Sequence, residues 1–136
     1  MKQFIVLTAV LPLLLLFVAQ YALDQRNHAL TTACEEQIRA SCEEARLDGY
    51  FSADNRQRLA ASLAETVGVE PSRIVIEAGS SVVYRVNYFD ASGQRGLIPY
   101  SVTVPLGKSM AGGLFRLQGN ERVLTVRGTL ASERLP

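Results

Sequence analysis

The stretch FIVLTAVLPLLLLFVAQYA, residues 4–22, decides the fold of this chain because no charged side chain interrupts it. A helix of this length spans about 28 Å, which is close to the hydrocarbon thickness of a bilayer. Tyr21 lies where aromatic rings settle at a membrane interface. The stretch therefore predicts a membrane-spanning helix. Lys2 favours an orientation with the preceding end inside the cell and the rest of the chain outside.

A cleaved secretion signal is the competing interpretation of the same stretch. A signal core is shorter, and its cleavage site has small residues two positions apart. The nearest candidate here, Ala19 to Ala22, has small residues three positions apart. The sequence favours a retained membrane anchor over residues 1–22, and cleavage stays open as the alternative.

The next stretch, LDQRNHALTTACEEQIRASCEEARLDG (residues 23–49), contains no proline, and its first glycine is Gly49. Apolar or small residues recur among charged ones at helical spacing, which predicts an amphipathic continuation of the helix over residues 23–48. We expect one helix from about Phe4 to Leu47, on the order of 65 Å long. The stripe predicted to pack against the later domain comprises Leu23, Leu30, Cys34, Ile38, Cys42 and Ala45.

Residues 49–136 predict a small α+β head domain outside the membrane. Ser52 is a favourable N-cap and Gly68 a natural C-terminal stop, so a second, short helix is expected between them. Runs of alternating and β-branched residues predict an antiparallel sheet of about four or five strands, with the helices on one face. The expected strands cover residues 73–77, 82–89, 97–104, 114–117 and 122–129, with a loop over 106–113 and a frayed tail over 131–136.

The chain offers little chemistry for catalysis. Its net charge of +1 and lack of a basic patch give no electrostatic footprint for nucleic acid. His28, the one histidine, follows Asp24 by one helical turn and is interpreted as a solvated helix residue. The pairs Glu35-Glu36 and Glu43-Glu44 are typical of a charged helix face. We therefore expect no enzymatic activity, no metal, no cofactor and no nucleic-acid partner.

The two cysteines, Cys34 and Cys42, lie on the same predicted helix. Eight residues of helix separate them by about 12 Å, whereas a disulfide needs Cα atoms within about 7 Å. They cannot bridge each other without breaking the helix. The sequence favours two small apolar residues on a packed face, and an interchain disulfide stays open as the alternative.

The stretch AVLPLLLLFVAQYALDQ (residues 9–25) resembles the N-terminal signature of TadE-like minor pilins of the tight-adherence, or Flp-type, pilus system. The family's apolar run contains V-L-P-L-L-L-L, and residues 10–16 match it residue for residue. In layout the resemblance extends over the whole chain, but no motif of the family lies after Leu47. Where family members usually carry a glycine cleavage point and a glutamate, this chain has QFIVLT (residues 3–8). Cleavage by a prepilin peptidase, and a salt bridge from that glutamate to a neighbour's amino terminus, are therefore not implied.

The resemblance implies a structural minor pilin or pseudopilin that sits in the cell membrane as a single-pass protein and joins a pilus. Its partners would be membrane lipid and other pilin subunits or a pilus assembly platform. The expected alternative is a membrane-anchored extracytoplasmic binding domain unrelated to pili, and a secreted domain is a third. The residues expected to make the membrane and assembly contacts are Phe4, Val10, Leu11, Pro12, Leu13, Leu14, Leu15, Leu16 and Phe17.

Overall fold

The computed structural model describes residues 1–85, 96–108 and 121–136. In these ranges two helices and a single 3-10 turn precede an antiparallel sheet, so the predicted α+β class is confirmed. The elements are α1 Lys2–Asp48, α2 Ala53–Val67, the 3-10 turn Pro71–Arg73, β1 Val75–Ala78, β2 Leu97–Lys108 and β3 Glu121–Ala131.

Helix α1 runs through the apolar and the amphipathic stretches without a break, as predicted. Thr31 and Thr32 form a β-branched pair in its middle. Each threonine hydroxyl donates to the carbonyl oxygen one turn back, at 2.8 and 3.1 Å. The helix ends where Gly49 adopts a left-handed conformation, with φ of 81°, and donates its N–H to the Ala45 carbonyl at 2.9 Å.

Helix α2 begins and ends at the residues that the sequence predicts. The Ser52 hydroxyl caps its first turn by accepting from the Asn55 N–H at 3.1 Å. Asp54 places a negative charge beside the positive end of the helix dipole. The helix stops at Gly68, whose φ of 77° is also left-handed.

The described strands form one antiparallel sheet in the order β1-β2-β3. Val102, at the middle of β2, pairs with Ile76 of β1 on one side and with Val126 of β3 on the other. Alternate residues of β2 face the helices, so Ile98 is fully buried while its neighbour Pro99 is exposed. This alternation is the one that the sequence predicts for β2.

The described ranges contain three strands, fewer than the four or five predicted. Residues 82–85, expected to begin a strand, have no strand structure. Their backbone N–H groups bond to the end of α1 and to the chain tail instead: Val83 donates to the Gly49 carbonyl and Arg85 donates to that of Arg134. Two further segments predicted as strand, 86–89 and 114–117, lie outside the described residues.

Strand β2 is longer than predicted, because it continues past Val104 to Lys108. An irregularity in the pairing with β3 between Pro105 and Gly107 accommodates the proline within the ladder. The predicted loop therefore does not begin at Leu106, which is buried. The predicted start of the loop is wrong because Gly107 lies within the strand and does not end it.

Proline in a strand is typical of a sheet edge or a bulge, but Pro99 lies in the central strand β2, where β1 has just ended. Gly79, the residue after β1, donates its N–H to the Pro99 carbonyl at 3.1 Å. Because proline has no N–H, Pro99 cannot donate a hydrogen bond to the Gly79 carbonyl in exchange. The Gly79 carbonyl accepts instead from the Phe51 N–H at 3.2 Å, so this backbone acceptor keeps a partner.

The hydrophobic core lies between the helices and the sheet. Helix α1 packs over β2 and β3, and α2 packs over β1 and β2. The buried apolar residues of this core are Cys34, Ile38, Cys42, Ala45, Phe51, Leu59, Leu63, Ala64, Ile74, Ile98, Val102, Val104 and Leu106.

Candidate functional site

The most conspicuous surface of the described chain is the first half of α1. No residue from Phe4 to Ala19 is buried, and the two largest side chains, Phe4 and Phe17, are 73% and 70% exposed. Contiguous apolar surface on this scale is typical of contact with lipid or with another protein. The helix is long and apolar enough to cross a membrane. All nine predicted assembly residues lie on this exposed segment.

Pro12 lies inside this segment, and α1 continues through it. Because proline has no N–H, the carbonyl oxygen of Thr8 loses its usual donor one turn later. Thr8 also donates its hydroxyl to the Phe4 carbonyl at 2.8 Å. Such a break in the hydrogen-bond ladder is tolerated in a membrane helix where neighbouring groups re-satisfy the backbone.

The burial of the predicted packing stripe on the second half of α1 increases toward the end of the helix. Its last four members, beginning with Cys34, are buried in the core. Leu30 is partly buried against that core, and Leu23 is half-buried. The stripe also includes a residue that the sequence analysis missed. Asn27, on the same face, is only 2% exposed, and a polar residue at a helical position gives little sequence signal for burial.

Cys34 and Cys42 are both buried in the core, and they form no disulfide with each other. Burial raises the pKa of Cys34, and the neighbouring negative charge of Glu35 raises it further. Burial also raises the pKa of Cys42, although a hydrogen bond with the Tyr100 phenol opposes the shift. A buried thiol with a raised pKa stays protonated near neutral pH and is a poor nucleophile.

The C-terminal tail holds the end of α1 to the head, so the prediction of a frayed tail is wrong. Ser132 is buried and donates its hydroxyl to the Val83 carbonyl at 2.6 Å. The next residue, Glu133, donates its N–H to the Arg46 carbonyl at 2.9 Å and forms an ion pair with the Arg46 side chain. Arg134 then donates from its guanidinium to the Asp48 carbonyl at 2.8 Å.

The other charged residues of α1 lie on its solvent face. His28 is exposed. Glu43 and Glu44 form ion pairs, with Arg46 at 3.0 Å and Arg58 at 2.5 Å. Across residues 1–85, 96–108 and 121–136, no group of three or more His, Cys, Asp or Glu residues could hold a metal ion.

A groove lies beside α1, between the helix and the inner face of β3. It has a volume of about 490 Å³. Its walls combine acidic residues of the helix with apolar and aromatic residues of the sheet. The residues that line it are Thr32, Glu35, Glu36, Ile38, Arg39, Cys42, Glu43, Tyr100, Val126 and Leu130.

No protein-family model, curated protein or solved structure matches this chain.

Proposed function

We propose that this chain is a structural subunit, a minor pilin or pseudopilin, which is anchored in the membrane by α1 and takes part in pilus assembly through that helix. The observation that carries the proposal is the division of α1 into two halves. Its first half is apolar and exposed over residues 4–19, and its second half buries one face in the head from Asn27 onward. One continuous helix thus connects two parts of the protein. The first is an apolar surface that needs an apolar partner, and the second is a folded domain.

The spacing along the helix supports membrane anchoring. Asn27 lies five residues after Ala22, which corresponds to about 8 Å of helix. The head therefore begins close to the expected membrane surface, and no flexible linker intervenes within α1. A head fixed in this way would be carried rigidly by the movement or packing of the helix.

The head is fixed to the helix at its far end as well. Gly49 and Arg46 bond to residues 83 and 133, which are distant in the sequence. A subunit that transmits force or position along a pilus needs a helix that does not detach from its domain. The resemblance of residues 9–25 to the TadE-like signature agrees with this role.

The alternative function is a single-pass, membrane-anchored extracytoplasmic binding domain that is not part of a pilus. The groove between α1 and β3 is the observation that favours it, because a concave surface with apolar and charged walls is typical of a binding site. In that function the apolar half of α1 would contact lipid alone.

Site-specific photo-crosslinking in a bacterial membrane separates the two functions. A photoreactive amino acid at Leu14 would lie in the apolar segment, and one at Val75 would lie on the exposed outer face of the sheet. The proposal expects Leu14 to crosslink to the apolar helix of another subunit, identified by mass spectrometry, while Val75 does not. Crosslinks from Leu14 to lipid alone would favour the anchored binding domain, and a chain lacking residues 1–22 would contradict both.

A further inference from the structure

The helices cover the sheet unevenly. Ile98, Val102 and Val104 of the central strand β2 are fully buried. The residues of β3 that face the same side, among them Val126 and Leu130, are only partly buried. Within residues 1–85, 96–108 and 121–136, a strip of apolar surface along β3 is therefore only partly covered by the helices. This strip forms the floor of the groove beside α1.

The wall of the groove that α1 provides is acidic. Three carboxylates and one guanidinium line it, so its formal charge is negative. Glu43 is engaged by Arg46 at 3.0 Å. Within the ranges that the structure describes, Glu35 and Glu36 form no ion pair, and both are exposed. Two carboxylates beside an apolar floor are therefore available to a ligand.

We propose that this groove binds a basic, amphipathic segment of a partner protein. Apolar side chains of the segment would cover Val126 and Leu130, and lysine or arginine side chains would pair with Glu35 and Glu36. The wall from Thr32 to Glu43 is about 17 Å long, which matches roughly three turns of helix. This proposal does not depend on the pilin assignment, because the groove lies wholly within the head and the second half of α1.

The probe is a pair of synthetic 12-residue helical peptides with identical leucine positions, one with lysines and the other with glutamates at the polar positions. Each peptide is titrated into the full chain held in zwitterionic lipid nanodiscs, and its affinity is measured. The same titration into empty nanodiscs gives the binding of the peptide to lipid, which is subtracted. Zero-length carbodiimide coupling joins lysine amines of the peptide to carboxylates in contact. Mass spectrometry then identifies the coupled carboxylates.

The lysine peptide should bind, should couple mainly to Glu35 and Glu36, and should bind more tightly than the glutamate peptide. The double variant Glu35→Gln/Glu36→Gln should weaken binding about fivefold, within the range of about two- to thirtyfold that two exposed ion pairs give. The matched control is Glu65→Gln/Glu77→Gln, which makes the same charge change at exposed positions outside the groove. The control should leave the affinity unchanged.

A second pair of variants tests the apolar floor. Leu130→Ala should weaken binding about three- to tenfold because it removes buried apolar contact. Val123→Ala, on the exposed outer side of β3, should not. If Leu130→Ala lowers the melting temperature of the chain, Val126→Thr replaces it. Absence of binding, coupling spread evenly over all carboxylates, or equal effects of the groove and control variants would overturn the proposal.

Discussion

The junction between α1 and the head gives the sharpest stability prediction, because the substitution Gly49→Ala adds a single methyl group at the contact between them. Gly49 has a φ of 81°, and a Cβ atom at this position would lie 2.5 Å from the backbone oxygen of Val83. Real Cβ atoms do not approach a backbone oxygen so closely. The substitution Gly49→Ala therefore forces the segment around Val83 away from the end of α1.

The expected cost has two parts. Placing a residue other than glycine in the left-handed region costs roughly 1–2 kcal/mol. Displacing Val83 also disrupts the bond from its N–H to the Gly49 carbonyl, at 2.9 Å, and the bond that its carbonyl accepts from Ser132, at 2.6 Å. Each such bond contributes about 1 kcal/mol. Gly49→Ala should therefore lower the free energy of unfolding by about 3–4 kcal/mol.

Gly68→Ala is the matched control. Gly68 has nearly the same φ, 77°, but a Cβ atom there meets nothing within 4 Å. This variant should lose only the roughly 1–2 kcal/mol of backbone strain. Urea unfolding of the full chain in mild detergent, followed by near-ultraviolet circular dichroism of the tyrosines, measures both variants. A Gly49→Ala variant that is no less stable than Gly68→Ala would refute the described packing of residue 83 against the end of α1.

Three further predictions concern the tail and the core. Ser132→Ala should lower the free energy of unfolding by about 1–3 kcal/mol, because it leaves the partly buried Val83 carbonyl without its hydroxyl donor; Ser80→Ala, at an exposed position, should be neutral in the same assay. Burial raises the pKa of Cys34 and Cys42 above the ordinary value of 9.0 and that of Tyr100 above 10.0. The stability that these protonated groups contribute is complete below pH 9 and is lost as the pH rises through the raised pKa values. The urea concentration at the unfolding midpoint should therefore decrease when the pH is raised above about 9. An increase in that midpoint concentration would contradict the burial of these groups. Iodoacetamide at pH 8 should modify the two thiols at least about 100-fold more slowly in the folded chain than in urea, as mass spectrometry would show; equal rates would mean that the thiols are accessible.

The sequence was sufficient to predict α1 and α2 because their signals are local. A charge-free run, the absence of proline from residues 23–49 and the glycines after each helix define both elements. The alternation along β2 is likewise local, and it correctly separated the buried Ile98 from the exposed Pro99.

What the sequence analysis missed depends on contacts between distant residues. The tail is ordered because Glu133 pairs with Arg46, 87 positions earlier, and no pattern within residues 131–136 indicates this. Pro99 is tolerated in the central strand because Phe51 supplies an N–H to the carbonyl that proline leaves unpaired. The groove is lined by residues of α1, β2 and β3 that are distant in the sequence, so it is a property of packing and not of any one segment.

The central claim is that one unbroken helix joins the apolar segment to the head. The most direct test is the distance between spin labels at two exposed positions of α1, introduced as Val18→Cys and Ala40→Cys, with the chain expressed from its own start and reconstituted in lipid. Twenty-two residues of continuous helix place the labelled backbone positions about 33 Å apart, and the distance distribution should be narrow. A broad distribution or a much shorter distance would show a break between the two halves. A chain that lost residues 1–22 would give no distance at all.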